Sequence, residues 1–221
     1  METICVDIGN SGLRCVRLTG SPAAGKMLDA AATTPWSGEV LRIDWPPAGD
    51  DGRLQADDAQ LAVSTLSRAI EPWLQAFNGS VSLPLRRQWI VSSVQRATET
   101  HLRACAARLG ASDYHLVSHS DLDLEVDVDF PHRVGIDRLL AALAAMELTP
   151  VRPLIVIQAG SAITVDWVES PRRFCGGAIM PGVPMMLRLL SQAADLLPRV
   201  AADELLELVE DDEDEGQPIR L

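Results

Sequence analysis

The sequence predicts a layered α/β fold made of two related halves. Three observations predict it. Short apolar runs of strand length alternate with segments whose apolar residues recur at helical spacing. Apolar residues make up 47% of the chain and aromatic ones 4%, the balance of a globular protein with a core. A strand, a glycine turn and a second strand occur twice, as ICVDIGNSGLRCVRL and IVIQAGSAITVDWV, so that Asp7 falls on Gln158 and Gly9 on Gly160. Two short hairpins also match by chance, and that reading stays open at this point.

The elements follow in order. ETICVDIG and GLRCVRLTG read as strands joined by the tight turn Gly9-Asn10-Ser11-Gly12. Residues 33–58, rich in Pro, Gly, Asp and Trp, hold one strand and an irregular loop. ADDAQLAVSTLSRAIEPWLQAF has helical apolar spacing after a polar start. QWIVSSV is a buried strand, and RATETHLRACAARLG a helix closed by Gly110. YHLVSH is a short strand, SDLDLEVDVD an acidic loop, and GIDRLLAALAAMEL a strongly apolar helix. LIVIQAG, AITVDWVE and RFCGGAIM are three strands with short turns, followed by a helix from Val183 to about Leu196. EDDEDEGQPIRL is too charged to pack and is expected to be disordered.

Composition removes several function classes. The formal net charge is −12, but nine acidic residues lie between Asp203 and Glu215, so the remainder is close to neutral. No basic stripe interleaved with aromatics appears, which excludes nucleic acid as the main partner. No apolar run reaches transmembrane length, and METICVDIGN lacks the positive region and apolar core of a signal peptide. Cys5, Cys15, Cys105 and Cys175 are scattered without a C-x-x-C pair, as in a reduced protein, and the expected location is cytoplasmic. Four histidines, His101, His115, His119 and His132, fall short of a zinc ligand set.

Several motifs carry possible chemistry, each with a plain alternative. GSPAAGKM (Gly20 to Met27) nearly fits a phosphate loop, but Met27 replaces the hydroxyl residue that holds Mg²⁺, so it reads as a connecting loop. In Asp7-Ile8-Gly9-Asn10-Ser11, Gly9 permits close backbone approach to a phosphate, Asn10 and Ser11 offer donors, and Asp7 can hold a water on Mg²⁺. The same pattern is also a common hairpin turn. Gly135-Ile136-Asp137-Arg138 sets an acid at the positive end of a helix, where it stays ionised; simple charge stabilisation of the helix end is the alternative. Gly176 and Gly177 leave room for a planar ligand against backbone, and Pro181-Gly182 is by itself a turn signal.

Together and in this order, DIGNSGLR, VSSV (Val91 to Val94), PHRVGIDR (Pro131 to Arg138), AGSAITVD, and GGAIMPG through AADLLP (Ala193 to Pro198) resemble the type III pantothenate kinases. These belong to the acetate kinase, sugar kinase, Hsp70 and actin superfamily. The resemblance implies two ribonuclease-H-like lobes, an actin-like ATPase duplication with nucleotide in the cleft between them. The lobes are expected at residues 1–115 and 116–202, the second shortened, with an acidic tail at 203–221. The implied reaction is transfer of the ATP γ-phosphate to the hydroxyl of pantothenate, the first step toward coenzyme A. ATP, Mg²⁺ and a monovalent cation, K⁺ or NH₄⁺, are the implied cofactors, and a homodimer with an interface active site the implied assembly.

Carried over by motif, Asp137 accepts the hydroxyl proton, with Gly135, Ile136 and Arg138 beside it at the substrate. Asp7, Gly9, Asn10, Ser11 and Arg14 cradle phosphates, joined by Gly160, Ser161, Gly176 and Gly177. Asp7 holds Mg²⁺ through water, and Gln158 occupies the family's cation-binding aspartate with a neutral amide. Val128 stands where the family carries a substrate-binding tyrosine. These departures leave two alternatives: a nucleotide-binding, non-catalytic relative acting as a regulator or interaction module, or a kinase of another small hydroxylated substrate.

Overall fold

The structure is a computed structural model that describes residues 2–18, 40–45, 59–76, 86–169 and 172–193. The phosphate-loop-like GSPAAGKM and the acidic tail lie outside these residues. The described elements are β1 (Glu2–Ile8), β2 (Gly12–Leu18), β3 (Leu41–Asp44), α1 (Ala59–Ala76), β4 (Arg87–Ser93), α2 (Arg96–Arg108), β5 (Ala111–Leu116) and β6 (Glu125–Val126). They continue with α3 (Ile136–Leu148), β7 (Leu154–Ala159), β8 (Ala162–Glu169), β9 (Arg173–Pro181) and α4 (Val183–Ala193). No described helix is long and apolar enough to cross a membrane.

Two sheets divide the strands. The first has the order β3-β2-β1-β4-β5, with β1, β2 and β3 antiparallel and β1, β4 and β5 parallel. Parallel pairing needs crossovers, and α1 and α2 supply them. Strand alternation turns Ile4, Val6 and Ile8 of β1, with Leu13 and Cys15 of β2, onto one face. There they form a core with Leu66, Ile70 and Leu74 of α1 and Leu102, Cys105 and Ala106 of α2. Gly110, in the left-handed region at φ +79°, ends α2 and lets the chain turn straight into β5.

The second sheet has the order β6-β9-β8-β7. Its three long strands form an antiparallel meander, with Gln158 opposite Thr164 and Asp166 opposite Gly177. A second core gathers Leu139, Ala142 and Met146 of α3 against Val168 and Phe174. The segment expected to be an acidic loop contains β6. Its strict alternation sends Leu122, Leu124, Val126 and Val128 inward onto this core while the acids face out. α3 touches β7 and β8 and also reaches β4, so it bridges the two sheets.

Candidate active site

The two glycine turns are built alike. In the first, the Gly9 amide donates to the Gly12 carbonyl at 2.9 Å, and the Trp45 amide, past the end of β3, donates to the Ser11 carbonyl at 2.9 Å. In the second, the Gly160 amide donates to the Ala162 carbonyl at 3.0 Å, and the Gly182 amide, past the end of β9, donates to the Ser161 carbonyl at 3.0 Å. Each turn is thus pinned by the residue that follows its own third strand. The turns meet, with the Ser11 and Ser161 hydroxyls in direct hydrogen-bond contact. Around them opens a cleft of about 420 Å³, lined by Ser11, Gly160 and Ser161 and by Val183, Met185 and Arg188 of α4. A side chain at 182 would run into the Gly160 and Ser161 carbonyls, so glycine there lets α4 start against the turn. The positive end of α4 therefore abuts Ser161, a setting that favours an anion.

Asp7 is exposed at the end of β1 and accepts a hydrogen bond from the Ser92 hydroxyl at 2.7 Å. Arg14 stands directly opposite it on β2. The first turn is braced further by the Trp45 indole N–H, which donates to the Gly9 carbonyl at 3.0 Å, and by Gln95, whose amide donates to the Asn10 carbonyl at 3.2 Å. Gln158, at the matching place on β7, accepts from the Thr164 hydroxyl at 3.4 Å. The donor sets differ in what they fit. An exposed carboxylate beside hydroxyls and backbone amides suits Mg²⁺, which keeps most of its waters and takes few protein ligands. A neutral amide oxygen already shared with Thr164 does not make a charged cation site, and no group of three or more His, Cys, Asp or Glu stands together among the described residues.

α3 positions the remaining candidates. Gly135 caps its N-terminus, and a Cβ there would strike the Asp137 carboxylate, which folds back over the first turn. Asp137 is half-buried, and Ile136 is buried beside it. The strand-to-helix approach is held by His119, whose Nε2 lies 2.9 Å from the Val134 carbonyl. Arg138 points into the protein. It is 9% exposed and grips the fully buried Asp166 through its Nε, at 3.1 and 3.2 Å, and through a terminal nitrogen. Its guanidinium also lies 5.6 Å from the Phe174 ring centre. A side chain at 177 would overlap the Val165 carbonyl, so Gly177 gives Asp166 its place. A second cavity, about 480 Å³, opens beside Arg138 over Gly176 and Gly177, walled by Val128, Phe130 and Arg133. Arg133 stacks on Phe130 at 4.8 Å.

Of the residues singled out in the sequence, Ser11, Gly160 and Ser161 come together in the cleft, with Asp7, Gly9, Asn10 and Arg14 on the same hairpin. Gly176 and Gly177 instead line the cavity beside Arg138. Sequence reasoning gave no site role to Trp45, to Ser92 and Asp166 within their quoted motifs, or to Gly182, read there as a turn residue. Asp166 lay inside the quoted AGSAITVD, where an acid at an inward-facing strand position was a legible sign of a buried partner.

Comparison with known proteins places the chain in a family. The profile of the family described as type III pantothenate kinase matches residues 47–213. The type III pantothenate kinase of Paramagnetospirillum magneticum is 48% identical over 168 residues, covering 75% of this chain and 60% of that protein. That of Rhodospirillum rubrum is 44% identical over 114 residues, covering 51% of this chain and 44% of its own length. That of Rhodopirellula baltica is 48% identical over 84 residues, covering 38% and 30%. The chain therefore spans from under a third to three fifths of the length of these curated relatives. With the match running across α1 to α4, the chain belongs to the type III pantothenate kinase family.

Proposed function

We propose that this chain transfers the γ-phosphate of ATP to the hydroxyl of pantothenate, giving 4'-phosphopantothenate for coenzyme A synthesis. The observation that carries the reading is the meeting of the two glycine-serine turns at the cleft, in a chain of this family. Phosphoryl transfer asks for alignment and charge stabilisation more than covalent help. Ser11, Ser161 and the turn amides donate to phosphate oxygens, and Arg188 and the start of α4 add positive potential. Asp7, held by Ser92, orients water at the phosphates. Mg²⁺, when bound there, supplies charge neutralisation across the phosphate oxygens. Asp137 accepts the hydroxyl proton. Arg138, tied to Asp166, fixes α3 so that Asp137 faces the substrate, and Gly135 leaves it room. Gly176 and Gly177 give the substrate a flat floor.

The same reading includes two ribonuclease-H-like lobes, at 1–115 and 116–202, as an actin-like duplication; the like pinning of the two turns and the β3-β2-β1-β4-β5 order support it. It also includes a cytoplasmic homodimer. For K⁺ or NH₄⁺, Gln158 offers only a neutral oxygen, and no step runs through it. Gln158→Asp is expected to create K⁺ dependence; unchanged turnover and unchanged K⁺ response in that variant would remove position 158 from the cation site.

The test is purified protein with ATP, Mg²⁺ and pantothenate, with and without K⁺, following phosphopantothenate. Turnover is expected, and Asp137→Asn should lower kcat by at least about a hundredfold with little change in ATP binding. ATP bound without turnover would replace this reading with that of a non-catalytic relative. Turnover of a different alcohol would make it another small-molecule kinase.

A further inference from the structure

Asp7 belongs to the first sheet and Asp137 to the helix packed on the second, yet both are referred to β4. Ser92 of β4 holds the Asp7 carboxylate at 2.7 Å. One residue earlier, the Val91 carbonyl accepts the Val117 amide at 2.8 Å, just past the end of β5. From there the chain enters a single 3₁₀ turn, His119 to Asp121. The Asp121 carboxylate accepts from the amide and the hydroxyl of Ser118, each at 2.7 Å. The Leu122 amide donates to the His119 carbonyl at 3.3 Å. The backbone of His119 is thus fixed on both sides, and its half-buried ring is presented in a set direction. That ring meets the Val134 carbonyl through Nε2 at 2.9 Å. A carbonyl only accepts, so Nε2 carries the proton and donates. Val134 leads straight into Gly135, the N-cap of α3, which has no side chain with which to cap the helix. The Arg138 and Leu139 amides, at 3.1 and 3.4 Å, both donate to the Gly135 carbonyl. Whatever holds Val134 therefore sets where the first turn of α3 begins, and the Asp137 carboxylate lies over that turn.

We propose that His119 is a positioning residue for phosphoryl transfer: its Nε2–H, acting through the Val134 carbonyl, places the first turn of α3 and with it Asp137. The proposal rests on the reading of Asp137 as the proton acceptor. His119 does not touch the reacting atoms in it; it sets where the carboxylate stands. A catalytic group displaced by about 1 Å loses up to about a hundredfold in rate. The first glycine turn, held by Trp45 and Gln95, does not depend on this bond, and neither does Asp7, held by Ser92. The loss on breaking it therefore falls on kcat and leaves the KM for ATP in place.

Two variants that differ only in reach test this on the full chain. A glutamine amide nitrogen extends as far as Nε2 of the ring, and that of asparagine stops a methylene short; both are polar and uncharged, so the fold is spared. His119→Asn should lower kcat with pantothenate about ten- to a hundredfold, with the KM for ATP unchanged. His119→Gln should recover most of that loss. Hydrogen exchange at the Arg138 and Leu139 amides should quicken about tenfold in the asparagine variant and stay near wild type in the glutamine one, while β1 and α2 keep their protection in both. A wild-type kcat in His119→Asn, or a His119→Gln as slow as His119→Asn, would overturn the proposal and leave the kinase reading standing. Wild-type protein that turns over no pantothenate overturns the kinase reading instead. Exchange then decides on His119: equal rates at Arg138 and Leu139 in wild type and His119→Asn would overturn its hold on α3.

Discussion

Asp166→Ala leaves the Arg138 guanidinium enclosed between α3 and β8 without its carboxylate. Arg138 is 9% exposed and Asp166 fully buried, so the charge regains little water when its partner is lost. Removing one partner of a buried ion pair costs about 3–5 kcal/mol. For a chain of this size, that is a fall in Tm of roughly 6–20 °C. The cost is large beside a total stability of about 5–15 kcal/mol. Arg138→Met with Asp166→Val removes both charges, and valine is short enough to clear Gly177. The double variant should recover most of the loss. As a reference, Glu147→Ala breaks the solvent-facing Glu147–Arg172 pair at 2.6 Å and should cost less than about 1 kcal/mol. Thermal and urea unfolding followed by circular dichroism read all three. A single variant that loses under about 1 kcal/mol, or a double variant as weak as the single, would refute the view that this pair fixes α3 to the sheet.

Two further outcomes are expected. Gly177→Ala drives a methyl into the Val165 carbonyl and toward the Asp166 carboxylate, and should cost about 1–3 kcal/mol in urea unfolding; an unchanged midpoint would contradict the close approach. The Ser118 hydroxyl and amide, each 2.7 Å from Asp121, hold its carboxyl below the ordinary value, with His115 adding at 3.2 Å. A depressed folded value means the contribution is complete above the ordinary carboxylate range and is lost as pH falls through the lowered one. An NMR titration of Asp121 should show this, and Ser118→Ala should move the midpoint upward.

Much of the fold was legible in the sequence because strand and helix periods rarely compete here. All three strands of the second meander and the cap of α3 follow from apolar runs broken by glycine. β6 was missed because its acids outweighed its alternation, although Leu122, Leu124, Val126 and Val128 recur every second residue. β5 begins at Ala111, earlier than the aromatic run suggested, because Gly110 turns the chain at once. The site was legible as separate motifs and not as an arrangement. That Ser11 and Ser161 meet, that Trp45 holds Gly9, and that Arg138 turns inward to Asp166 are facts of distance between segments. Local pattern carries no information about them.

The indole of Trp45 touches the first turn at a single point, the Gly9 carbonyl. A ligand that shifts that turn would strain or release this bond, and an indole N–H that changes its acceptor changes its emission. Trp45 would then serve as an optical gauge of the turn. Trp45→Phe separates its signal from those of Trp36, Trp73, Trp89 and Trp167. On the proposed function, nucleotide added to the protein would then be followed in a stopped-flow instrument without a label and independently of any product formed.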